Sequence, residues 1–150
     1  MAMQSRDPVL GFHFRVDVEG GRLTGLFTEC SGIGSEHEVV EHQVVDERGV
    51  PFTIKAPGRL KWENITLKRG ITDSMDAWTW RADVENGDVE TNRFGGSITM
   101  VDHDLKPVAE WTFDRAWPTK LSGPSPKAGG NEIGIEEIVL AHEGIRRVGI

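Results

Sequence analysis

Cysteine is almost absent from this 150-residue chain: Cys30 is the only one. No internal disulfide can form, which agrees with a reducing compartment. No apolar run is long enough to cross a bilayer as a helix. Met1-Ala2-Met3-Gln4-Ser5-Arg6-Asp7 lacks the apolar stretch of a signal peptide. The expectation is a protein made and kept in a cytoplasm. Basic residues are also short, 17 Lys and Arg against 24 Asp and Glu, for a formal net charge of −7. That balance argues against wrapping nucleic acid, which needs clustered Lys and Arg to displace counterions. It leaves open a surface past which a polyanion slides without sticking. Repeats, low-complexity tracts and a domain boundary are all missing, so residues 1–150 read as one domain. A chain of this length buries about 68–70% of its unfolded surface in one core.

What is present is mostly strand. Phe12, Phe14, Val16 and Val18 alternate with His13, Arg15 and Asp17, and Gly20-Gly21 turns this strand into a second one running toward Cys30. Ile65 and Leu67 alternate with Thr66 and Lys68, and the strand breaks at Gly70. Thr72, Asp73 and Ser74 supply oxygens for a helix start, and Asn86-Gly87 stops it, which predicts one helix over residues 73–86. Met75, Trp78 and Ala82 would form its core stripe, widened by Trp80 and Val84, with Trp80 the better placed to sit beneath a neighbouring strand or subunit. Two strands follow, Phe94–His103 and Val108–Trp117, joined by a turn at Asp104–Pro107; Ala109, Trp111, Phe113 and Trp117 mark one face of the second. Residues 118–131 are rich in breakers, and Ile133, Ile135, Ile138 and Leu140 build a last strand. The fold class is mainly β, a sandwich or small barrel of antiparallel strands with one flanking α-helix.

Several groupings invite chemistry, and each has a structural explanation. His37-Glu38-Val39-Val40-Glu41-His42 resembles a zinc-protease motif, but its histidines are one residue too far apart for one helical face. On a strand that odd separation sends them to opposite faces. Asp102-His103-Asp104 sits where a hairpin turn favours Asp. His142-Glu143 has no nucleophile near it in sequence, and Glu29 beside Cys30 disfavours a thiolate. Gly32-Ile33-Gly34-Ser35 lacks the Gly-Lys-Ser/Thr of a phosphate loop and reads as a bend. The expectation is no catalytic residue, no metal and no cofactor.

Assembly is the better-supported theme. Glu36 through Val45 carries charge on both parities, so neither face is cleanly apolar, which suits a strand lining a water-filled space. Residues 46–58 read as a long Pro/Gly-punctuated loop holding Val50, Phe52 and Ile54, which want burial. A partner subunit is the simplest place for them.

Asn64-Ile65-Thr66-Leu67-Lys68-Arg69-Gly70 with Thr72-Asp73 and Trp78 resembles the tail-tube proteins of contractile phages and bacterial contractile injection systems. The resemblance continues in Phe12–Val16, Glu29–Gly32, Arg93–Ile98, Ala116–Lys120, Asn131-Glu132 leading to Glu136, and Leu140–Gly144, so it spans nearly the whole chain. It implies an Hcp-like barrel, hexameric rings whose sheets join around a lumen, and rings stacked into a tube. The partners implied are further copies of itself, a contractile sheath, a baseplate and spike, and cargo in the lumen of a particle assembled in bacteria. On that analogy Glu36, Glu38 and His42 would face the lumen, as would residues near Ile133–Leu140. Ring stacking would use residues 1–10 and the segments 46–58 and 118–131, with Val50, Phe52, Ile54, Pro118 and Lys120 as contacts. The alternatives are a small-ligand-binding β-barrel, which needs a continuous apolar interior, and a baseplate-proximal tube initiator.

Overall fold

The computed structural model describes residues 11–124 and 134–149. The expected arm at residues 1–10, the later part of the 118–131 segment and Ile133 lie outside the described residues. Ten strands and one α-helix follow in order: β1 (His13–Val18), β2 (Thr24–Phe27), β3 (Glu29–Ser31), β4 (Ser35–Val45), β5 (Pro51–Trp62), β6 (Ile65–Gly70), α1 (Asp76–Glu85), β7 (Phe94–Val101), β8 (Pro107–Ser122), β9 (Ile135–Ala141) and β10 (Ile145–Gly149). Eight strands form one antiparallel sheet in the order β2-β1-β7-β8-β9-β6-β3, with β10 added to β8.

The sheet rolls up because β8 bends. Its first half pairs with β7 and β10, and its second half with β9. Between them Arg115 adopts φ 50°, and the register jumps from Gly96 opposite Phe113 to Phe94 opposite Ala116. Such a bulge re-aims the following residues. Phe113, Ala116 and Pro118 are buried, while Trp117, expected on the face of Phe113, is only half-buried. At the far side the Thr28 N–H donates to the Lys68 carbonyl at 2.8 Å and draws the end of β2 back to β6. The result is a nearly closed barrel with one helix against it. Its interior is filled by Val16, Phe27, Leu67, Trp80, Phe113 and Ile138, among others.

The helix sits in a different phase from the expected stripe. Ala77, Trp80 and Val84 face the core; Trp80 is 0% exposed and Trp78 37%. The apolar residues of α1 occupy several phases, so packing decides between them. The Trp80 indole N–H finds the Asn92 carbonyl at 2.9 Å, which makes its full burial tolerable. The helix also starts later than expected, at Asp76, whose own Oδ1 accepts the Ala77 N–H at 2.6 Å. It stops where expected: Gly87 takes φ 94° and donates to the Val84 carbonyl at 2.9 Å.

Two further expectations are corrected. Residues 46–58 are mostly strand, since β5 begins at Pro51 and pairs with β4 over its length. The prolines suggested a loop, but a two-stranded sheet consists of edges, where proline is tolerated. Likewise Pro118 and Lys120 belong to β8, not to a loop. Pro118 is buried and its carbonyl accepts a bond from Arg81 of α1 at 3.0 Å, which leaves it no free surface, whereas Lys120 stays exposed. On β9 the buried residues are Glu136, Ile138 and Leu140, so Ile135 falls on the outer face.

Candidate assembly interface

β4 and β5 form a sheet of their own, a hairpin that stands apart from the barrel. Its tip is a tight turn. The Asp46 carboxylate accepts the N–H groups of Arg48 and Val50 at 2.8 and 2.9 Å, and Gly49 sits at φ 80°. The register places Val40 opposite Ala56, His42 opposite Ile54 and Val44 opposite Phe52. Directly paired residues share a face. One face of the distal half is therefore Val40, His42, Val44, Phe52, Ile54 and Ala56. The other carries Val39, Glu41, Gln43, Val45, Pro51, Thr53, Lys55 and Pro57, with Gln43 bonded to Thr53 at 2.9 Å.

A bulge falls opposite the His37–Val39 step of β4, with the extra residue in β5. It shifts the parity of β5 relative to β4, so the apolar residues of β5 and the even positions of β4 meet on one side. Gly58 confirms the geometry, because a side chain there would meet Val40 Cγ2 at 3.0 Å and Glu38 Cβ at 3.3 Å. Glu36 and Glu38 continue this same face toward the barrel, where Glu36 pairs with Lys61. Thus Glu36, Glu38 and His42, expected at a lumen, share a face with Phe52 and Ile54, expected at a ring contact. Phe52 and Ile54 are 46% and 44% exposed, and Val50 stands exposed in the turn.

A second site, which sequence reasoning missed, closes the barrel seam. Arg69 ends the alternation Ile65, Leu67, Arg69 and Glu136 begins Glu136, Ile138, Leu140, so both charges occupy core-facing positions, and β6 and β9 pair Arg69 with Glu136 directly. Arg69 Nε donates to Glu136 Oε2 at 2.8 Å and Nη2 to Asp76 Oδ1 at 2.6 Å. Nη1 reaches the Thr24 carbonyl at 3.1 Å, and the guanidinium lies 4.7 Å from the Phe27 ring centroid. Asp76 Oδ2 accepts the Thr24 N–H at 3.0 Å, and the Trp78 indole donates to Glu136 Oε1 at 2.7 Å. Burial alone would lower the Arg69 pKa, but bonds and charge from Glu136 and Asp76 outweigh it and raise it. Burial likewise pushes Asp76 up, yet the Thr24 N–H, Arg69 and the Ala77 N–H hold its carboxyl below the usual range. Opposite charges at core parity on two strands were the available signal; the register that joins them was not.

The remaining candidates separate. Cys30 is half-buried in β3 and burial pushes its thiol up to about 12, far from a thiolate. Asp102 accepts the N–H groups of Asp104 and Lys106, both at 2.9 Å, and so builds the turn that holds His103. His142 contacts the Glu63 carbonyl at 2.8 Å and lies 5.9 Å from the Trp62 ring centroid. His37 and His42 fall on opposite faces of β4. Among the described residues no three His, Cys, Asp or Glu side chains gather as a metal site, and no helix is long and apolar enough to cross a membrane.

Known structures carry the same fold. A chain of the PVC sheath-tube complex in the extended state, from an extracellular contractile injection system, superposes with a TM-score of 0.74 at 24% identity, over 99% of this chain and 95% of that one. A chain of the PVC sheath/tube terminator in the extended state gives 0.71 at 25% identity, over 91% and 93%. Hcp1 from Flavobacterium johnsoniae gives 0.55 at 17% identity, over 91% and 95%. No curated protein matches the chain by sequence. The model of the T4-like virus tail tube protein gp19 family matches residues 10–146. With nearly its whole length accounted for, the chain belongs to the T4-like virus tail tube protein gp19 family.

Proposed function

We propose that this chain is the inner-tube subunit of a contractile injection particle. Hexameric rings stack into a hollow tube, a contractile sheath surrounds it, and sheath contraction drives tube and cargo through a target envelope from a baseplate. The particle is assembled in a bacterial cytoplasm. The hairpin Ser35–Trp62 supports this best: it leaves Val40, Phe52 and Ile54 exposed on an arm that the subunit's own barrel does not cover. An isolated two-stranded hairpin is marginally stable at best in water, so neighbours are its natural support. Because His42 shares a face with Phe52 and Ile54, that distal face is assigned to subunit contact. A lumen role is kept for Glu36 and Glu38 near the base. Lys120 stays with the contact surface, and Pro118 leaves it. A small-ligand barrel is disfavoured because Trp80, Phe27 and Phe113 fill the interior.

Electron microscopy of the purified protein beside Phe52→Asp tests the proposal. The wild type should form rings and tubes. The variant should keep its β-rich circular dichroism and cooperative melting yet stop at single rings or monomers, since an unpaired buried charge is strongly unfavourable. Global unfolding of the variant would place Phe52 in the subunit's own core, and normal tubes would remove the hairpin from the contact.

A further inference from the structure

Resting on the tube-subunit reading, we propose that the Val40–Val44 and Phe52–Ala56 face docks on a second copy of this chain, and that His42 at its centre makes docking conditional on a neutral imidazole. The occupant follows from charge. Each subunit carries a formal −7, so copies repel wherever carboxylates are brought together. The distal face has no carboxylate. The opposite face carries Glu41 and Lys55, and Glu36, Glu38 and Lys61 lie nearer the base. Two copies can therefore meet on the distal face without forcing acids against one another.

His42 is the one titratable group on that face. Ile54 stands across from it, Phe52 and Ala56 flank it diagonally, and Val40 and Val44 lie two residues away on its own strand. Every residue from Glu36 to Gln43 and from Val45 to Lys55 is exposed, so among the described residues no other element covers this face. Covering it with apolar surface would surround the ring with groups that cannot solvate a charge, and burial disfavours the imidazolium. A subunit that arrives protonated must release that proton to dock. By linkage, association falls as pH drops through the histidine range. Because imidazole as a class changes charge between about pH 5 and 8, association per contact should be about tenfold weaker at pH 5.5 than at pH 7.5.

The test compares critical concentrations for tube assembly, by sedimentation, at pH 7.5 and 5.5 for wild type, His42→Gln, His42→Leu and His37→Gln. General acid effects, including partial neutralisation of the negative subunits, act on all four, so the readout is each variant's ratio relative to wild type. Wild type and His37→Gln should share one pH dependence. His42→Gln and His42→Leu should assemble about tenfold better than wild type at pH 5.5, relative to pH 7.5. An unchanged pH dependence in both His42 variants overturns the proposal. Phe52→Asp run alongside separates the two ideas. If it assembles normally, the docking face itself is wrong; if it fails while the His42 profiles match wild type, only the proton linkage is wrong.

Discussion

Replacing Arg69 by Ala should be among the most damaging single changes outside the apolar core. Among the described residues the guanidinium is the only cation paired with Asp76 and Glu136, whose side chains are 11% and 4% exposed. Its loss leaves two buried carboxylates with no counter-charge, held by the Thr24 and Ala77 N–H groups and the Trp78 indole, and frees the Thr24 carbonyl. Breaking a buried pair by removing one member costs about 3–5 kcal/mol. At roughly 3 °C per kcal/mol for a chain of this length, the melting temperature should fall by about 10–15 °C. The measurement is thermal and urea unfolding of the unassembled subunit, held dilute and checked by size exclusion. The pH dependence gives a second signature. Asp76 has a depressed folded-state pKa, so its contribution is present above the ordinary carboxylate range and is lost as pH falls through that depressed value. In Arg69→Ala the Asp76 carboxylate loses its counter-charge and is penalised at neutral pH, a penalty relieved on protonation, so the gap from wild type should narrow as pH falls through the carboxylate range. Adding Asp76→Asn and Glu136→Gln to Arg69→Met should recover most of the loss at pH 7. A single Arg69→Ala variant within about 1 kcal/mol of wild type, with no narrowing in acid, would refute the role given to this network.

Other substitutions test smaller points. Gly32 holds φ 84°, and an added Cβ would collide with the Asn64 carbonyl oxygen; Gly32→Ala should therefore destabilise by about 1–3 kcal/mol, read by urea unfolding. Arg115→Gly relieves the left-handed backbone at the β8 bulge but removes bonds to Glu90 and Glu143, which are exposed. Exposed pairs are screened by solvent and salt, so its urea unfolding midpoint should stay close to that of wild type. Cys30→Ala and His103→Ala should leave tube formation intact in micrographs, and metal analysis of the purified protein should find no stoichiometric zinc.

Local rules carried much of this fold into view. The alternation of β1 and β6, the Asn86-Gly87 stop and the Asp102 turn all depend on neighbours in sequence, and each lies where chain chemistry put it. What stayed hidden depends on partners far along the chain. The buried Arg69–Glu136 pair needed the β6–β9 register. The apolar face of the hairpin needed the bulge near Glu38, because alternation read along β4 alone cannot show which residues of β5 join it. The phase of α1 was hidden because Trp78 and Trp80 are equally apolar by composition, and only the Asn92 carbonyl and the Glu136 carboxylate distinguish their indoles. Arg69 and Glu136 both lie within the stretches that resemble tail-tube proteins, yet nothing in the wording of those motifs says that they touch.

A hairpin held up by little of its own barrel has a kinetic consequence. Fixing the backbone of each residue costs about 1–2 kcal/mol of entropy, so on the tube-subunit reading the first pair of subunits to meet would fix their arms before contact repays it. On the tube-subunit reading, a subunit joining an existing ring end would find that surface already ordered. Growth should then show a lag that added seeds abolish, with free subunits persisting at concentrations where finished tubes are stable. On the same reading, an arm that is fixed on a template would confine polymerisation to the place where a template has been laid down.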